Sequence, residues 1–134
     1  MKAKIGHIGI NLADNESISF WRELLNFFDF TFLVDDGEHV DATDGNTYLC
    51  VGTTNSAQKN IEFHRKRTGL NHVAFQVDSR EKVNKFVEVF LEPREILPLY
   101  GGAKEYPDYA SQYYAVFFED PNRIKLEVVF ESSD

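Results

Sequence analysis

A displacement of 65 residues, from His7 to His72, lays one half of this chain on the other. A duplicated unit constrains a fold more than a single motif does, because it fixes topology and equivalent positions together. The run Lys4-Ile5-Gly6-His7-Ile8-Gly9-Ile10-Asn11-Leu12 falls on Gly69 to Val77, placing His7 on His72, Gly9 on Ala74 and Asn11 on Gln76. Both runs alternate: Ile8, Ile10 and Leu12 oppose His7, Gly9 and Asn11, and Val73, Phe75 and Val77 oppose His72, Ala74 and Gln76. That period of two predicts a strand with one apolar face in each half. The same displacement pairs Ile18 with Val83, Trp21 with Phe86, Leu24 with Val89 and Leu25 with Phe90, the spacing of a helix's buried stripe. Asp14, Asn15 or Ser17 can cap the first helix and Asp78 or Ser79 the second; Glu16 and Glu81 suit the positive helix ends, and Pro93 is expected to end the second helix.

Short β-rich runs follow each helix: Phe30 to Val34, His39 to Thr43 and Thr47 to Gly52, then Ile96 to Tyr100, Tyr113 to Phe118 and Ile124 to Phe130. The turns Asp35-Asp36-Gly37, Asp44-Gly45-Asn46 and Asp120-Pro121-Asn122 separate runs. The unit is therefore βαβββ, twice, an α+β chain. The second copy has an extra loop, Gly101 to Ser111, rich in Gly, Tyr and Pro, a candidate substrate lid or interface. At 134 residues the chain has the size of one domain, residues 1–134, with repeat units at about 1–60 and 66–134.

Charge narrows the partners. Fourteen Lys and Arg against 22 Asp and Glu leave a net charge of -8, a field that repels phosphate backbones and anionic lipid, so neither nucleic acid nor membrane is expected. The single cysteine, Cys50, forms no internal disulfide, and a strand begins within a few residues of Met1. A cytoplasmic location is expected. Isologous dimers are the commonest soluble oligomer, and exposed sheet edges favour a homodimer here.

Four phrases stand in order at the duplicated spacing: His7-Ile8-Gly9-Ile10, Phe20-Trp21-Arg22 through Leu25, Gly69-Leu70-Asn71-His72-Val73-Ala74-Phe75, and Phe118-Glu119-Asp120-Pro121-Asn122-Arg123-Ile124-Lys125-Leu126-Glu127. In these the chain resembles the vicinal oxygen chelate superfamily of glyoxalases, bleomycin resistance proteins and extradiol dioxygenases. The resemblance implies a half-open mixed β-sheet barrel with helices outside, and a divalent metal ion, Fe, Mn, Ni or Zn, on its concave face. It implies ligands from the first and last strands of each unit, here His7, His72 and Glu127. The matching place in the first unit holds no carboxylate. Cys50 stands nearest to it by the displacement of 77 that carries Leu49 onto Leu126, although alignment on the turns moves the match by one residue. A fourth protein ligand, as in glyoxalase I-like members, is therefore absent. Arg123 stands where the family has a glycine in its Asp-Pro-Asp-Gly turn.

Two imidazoles and a carboxylate on one face of an ion leave adjacent positions open for substrate oxygens or O₂. The expected function is a metal-dependent dioxygenase or a glyoxalase-like lyase or isomerase acting on a small molecule through neighbouring oxygens; no catalytic acid or base is assigned. Tyr113, Phe117, Cys50 and His64 are candidate substrate contacts. The alternative is a drug-sequestering module of the bleomycin-resistance kind, without turnover. A thiol transferase to fosfomycin is disfavoured because the Gly101 to Ser111 loop has only Lys104 as a cation.

Overall fold

The structure, a computed structural model, describes residues 1–132. The chain divides into two compact units, Met1–Glu62 and a second beginning at Phe63. In the first, β1 (His7–Leu12) leads through helix α1 (Asn15–Phe27) to β2 (Thr31–Asp35), β3 (His39–Thr43) and β4 (Tyr48–Thr53). The sheet order is β1-β4-β3-β2, with β1 parallel to β4 and the other pairs antiparallel. Asp14 caps α1, its Oδ1 accepting from the Ser17 amide and hydroxyl at 2.9 Å each. Ile18, Trp21, Leu24 and Leu25 are all fully buried, as their spacing predicts, in the layer between α1 and strands β1, β3 and β4, where Leu12, Val40, Ala42 and Val51 are buried too. Asp36 and Asp44 close the hairpin turns by accepting backbone amides, next to Gly37 and Gly45 at φ 89° and 101°.

The second unit repeats the plan with β5 (Val73–Gln76), α2 (Arg80–Phe86), β6 (Lys104–Glu105), β7 (Gln112–Glu119) and β8 (Lys125–Ser132), in the order β5-β8-β7-β6. Again the first and last strands run parallel. Ser79 caps α2. Val116, Phe118, Leu126 and Val128 form the sheet's buried face against Val83, Phe86 and Phe90, with the Phe86 ring 5.1 Å from both Phe90 and Phe118. Neither four-stranded sheet closes on itself. No helix among the described residues is long and apolar enough to cross a membrane.

Three expectations change. The α-helix does not run to Pro93: it ends at Phe86, continues as a wider π-type turn over Val87–Leu91, and finishes in a 3₁₀ turn that carries Pro93 near its start. Proline has no amide for the carbonyl four residues back but fits the opening of a helical turn. The wide turn also rotates the stripe, so Val89, expected inside, is 49% exposed, and Leu91 is buried instead. Second, residues 96 to 100 form no strand. Glu95 and Tyr100 take φ of 56° and 57°, Pro98 cannot donate, and the segment's tie to the sheet is Leu99 N–H to Phe117 O. Third, the edge strand β6 lies inside the Gly101 to Ser111 segment expected to be loop, pairing Lys104 with Ala115 and Glu105 with Tyr114.

Candidate functional site

Ladder pairing decides which side chains share a face. In the second unit Glu127 lies between Ala74 of β5 and Phe117 of β7. In the first, Cys50 lies between Gly9 of β1 and Asp41 of β3. Because Gly9 and Ala74 are equivalent in the duplication, the register assigns Cys50 to the place of Glu127, resolving the one-residue slip left by the turns. His7 opens β1 opposite Tyr48 and is exposed. The Cys50 thiol is pushed up by desolvation and by a hydrogen bond with Asp41, so it stays protonated at neutral pH.

Glu127 is the outlier of the second unit. It is 1% exposed, on the face of β8 turned away from α2. Removing a carboxylate from water costs several kcal/mol unless other groups compensate. Tyr113 donates its phenol hydrogen to Oε2 at 2.5 Å. Burial and this bond to Glu127 push the Tyr113 phenol far above its ordinary range, so its proton stays on oxygen. Oε1 faces His72 Nε2 at 3.5 Å. The other ring nitrogen of His72, Nδ1, lies 2.7 Å from Asn71 Oδ1. Asn71 Oδ1 can accept from Nδ1, which orients the ring so that Nε2 faces Glu127.

Aromatic rings wall this face. Phe117 meets His72, Tyr100 and Tyr106 edge-on, with centroids 6.2, 5.5 and 5.5 Å away. Tyr106 stacks on Tyr109 at 5.2 Å and packs against the cluster of Ala115, Phe117 and Val129. Its hydroxyl is sealed from solvent and has no hydrogen-bond partner. Desolvation, then the charges of Tyr109 and Glu127, raise that phenol too. At the turn after β7, Arg123 takes φ 66°, the conformation that a glycine there would adopt freely, and reaches Glu119 at 3.4 Å.

Of the residues singled out from sequence, the second unit brings His72, Glu127, Tyr113 and Phe117 together. His64 is exposed and its Nδ1 accepts the amide of Lys66, closing its own turn. Within either unit, no group of three or more His, Cys, Asp or Glu side chains among the described residues is placed to hold a metal. The sequence reading missed Asn71, Tyr106 and Asp41. Asn71 stands beside His72 in the quoted phrase; Tyr106 and Asp41 become visible only once the strand pairing is known.

The His72 and Glu127 pair passes one test for a metal. Two bonds of about 2.1 Å meeting at a roughly tetrahedral angle leave their donor atoms about 3.4 Å apart. The observed 3.5 Å fits that spacing and is long for a direct hydrogen bond.

Comparison with known proteins places these features. The family model of the Glyoxalase/Bleomycin resistance protein/Dioxygenase superfamily matches residues 4–128. An uncharacterized protein of Bacillus subtilis, YqjT, is 30% identical over 133 residues, spanning 94% of this chain and 98% of that one. A crystal structure from Bacillus halodurans, provisionally described as a glyoxalase, is 39% identical, with a TM-score of 0.83 over 95% of both chains. The lactoylglutathione lyase of Agrobacterium tumefaciens shares the fold at 20% identity, with a TM-score of 0.65 over 96% of this chain and 94% of that one. The chain belongs to the Glyoxalase/Bleomycin resistance protein/Dioxygenase superfamily.

Proposed function

We propose that this chain is a metal-dependent enzyme of the glyoxalase or extradiol dioxygenase type, in which His72, Glu127 and His7 hold a divalent ion of the Fe, Mn, Ni or Zn kind. The observation that supports it is the buried Glu127 carboxylate, which faces His72 Nε2 at metal-bridging separation. When bound, such an ion supplies Lewis acidity toward two neighbouring oxygens of a small substrate.

The chain's own residues do the rest. Tyr113 fixes Glu127 Oε2 and leaves Oε1 as the donor, while Asn71 sets the His72 ring. The rings of Phe117 and Tyr106 keep water from the carboxylate, which strengthens every charge interaction there. Cys50, at the place equivalent to Glu127, and His64 complete the proposed substrate contacts. The two units work as one domain, in a cytoplasmic homodimer, with edge strands of the two sheets, β1 and β2, β5 and β6, as candidate contact strands.

Elemental analysis of protein purified without added metal tests the reading, alongside His7→Ala, His72→Ala and Glu127→Ala. Near-stoichiometric transition metal in the parent, lost in each variant, is expected. Metal that survives all three substitutions refutes the site. Oxygen uptake with catechols and isomerisation of hemithioacetals then separate the two enzymatic branches. The ring cluster of Tyr106, Tyr109, Tyr113 and Phe117 favours one second reading, sequestration of an aromatic guest without turnover. Tight binding by metal-free protein with no product would select it.

A further inference from the structure

Glu127 is not the only charged residue on its face of β8. Strand alternation puts Lys125 on the same face, two positions and about 6.6 Å before it. The Lys125 ammonium lies 4.9 Å from the Tyr100 ring centre and 4.7 Å from that of Phe117. Its partner across the ladder is Glu119, which turns its carboxylate to Arg65 at 2.5 Å and to Arg123 at 3.4 Å. One carboxylate thus serves two guanidinium groups, and Lys125 is left against aromatic faces. In a chain of net charge -8 this is a local surplus of cation.

Tyr100 sits in that surplus. Hydrogen bonding to Lys125, and the charges of Lys125 and Arg65, hold its phenol below the ordinary range. Its backbone is held at φ 57°, ahead of Gly101 and Gly102 at 86° and 100°, so a run of left-handed residues presents the ring to Lys125. A tyrosine in that conformation is strained by about 1 kcal/mol or more, and such strain concentrates at binding sites.

We propose that Lys125, Arg65 and the Tyr100 hydroxyl form an anion-binding subsite next to the His72 and Glu127 centre, so that the substrate carries an acidic group, carboxylate or phosphonate, beside its chelating oxygens. The subsite rests on the proposed function for its neighbour, not for its own geometry. Arg65 and Lys125 come from outside the Gly101 to Ser111 loop, whose one cation is Lys104. Phe117 and Tyr100 fit a flat body between the two ends.

Calorimetric titration of the full chain with phenylphosphonate, benzoate and neutral benzamide tests this. The anions should bind at least about tenfold more tightly than benzamide, with the preference shrinking as salt is raised. Lys125→Met should remove most of that preference and leave metal content unchanged, and Lys125→Arg should retain it. Equal affinity for benzamide, or an unchanged preference in Lys125→Met, overturns the subsite; the comparison in the parent protein decides even if a variant fails to fold. Glu127→Gln separates the two claims. Anion preference without metal in the parent sinks the proposed function alone, and metal that follows the triad without anion preference sinks the subsite alone.

Discussion

Tyr106 and Tyr113 offer a test in which one chemical change should have opposite signs at two places seven residues apart. Replacing either by Phe deletes one oxygen and keeps the ring, so packing and transfer terms nearly cancel between the variants. At Tyr113 the lost hydroxyl donates to a carboxylate that is 1% exposed. A hydrogen bond to a charged group contributes about 1.5–3 kcal/mol, and its loss leaves Oε2 buried without a donor. At Tyr106 the hydroxyl is buried with no partner. Such a group costs about 1–3 kcal/mol, so its removal should stabilise by about 1 kcal/mol. A chain of this size moves about 4 °C per kcal/mol. Thermal unfolding of EDTA-treated protein should therefore show Tyr113→Phe lower by about 8 °C and Tyr106→Phe higher by about 4 °C. Two shifts of the same sign would refute the assignment of one hydroxyl as satisfied and the other as buried without a partner.

Three further outcomes follow from local geometry. Asp14→Ala should cost about 1 kcal/mol in thermal or urea unfolding, the usual effect of losing an N-cap. Ser17's donors hold the Asp14 carboxyl below its ordinary 3.8, so its contribution is present above that pH and fades as pH falls through the lower folded value; unfolding of Asp14→Ala and parent should converge in strong acid. Iodoacetamide should alkylate Cys50 slowly at pH 8, because burial and Asp41 hold the thiol protonated, and severalfold faster in Asp41→Asn. Equal rates would show that Asp41 does not touch it. Arg123→Gly should raise the melting temperature by a few degrees, since relief of a left-handed conformation outweighs a 3.4 Å ion pair whose arginine is 77% exposed; a lower melting temperature would mean that the Glu119 contact matters more than the backbone.

How much of this was legible in the sequence depends on whether the signal was periodic. The duplicated strands and the stripe of α1 could be read because alternation and helical spacing are carried by adjacent residues, and Ile18, Trp21, Leu24 and Leu25 are indeed buried. The same stripe failed at Val89 because a π-type turn changes the residues per turn, and nothing in the identity of Val87 through Leu91 announces that. Residues 96 to 100 misled for a related reason: apolar content suggested a strand, whereas Pro98 and the left-handed residues at either end deny it ladder partners.

The site divides along the same line. Glu127 and Lys125 share a face by strand period alone, so their adjacency was available from the sequence. The significance of Lys125 was not, because it depends on Glu119 being drawn off by Arg65, 54 residues away along the chain. The first unit shows the converse. Its place equivalent to Glu127 holds Cys50, and the residue paired across from it is Asp41 where the second unit has Phe117. Relative to the second unit, the first thus carries its acid on the neighbouring strand and a protonated thiol where the carboxylate would stand. A symmetric four-ligand centre would need an anionic donor at both equivalent places. A neutral thiol must lose its proton before it can act as a ligand, so Cys50 is a costlier anionic donor than a carboxylate at the same place, an asymmetry that accords with the proposed three-ligand centre.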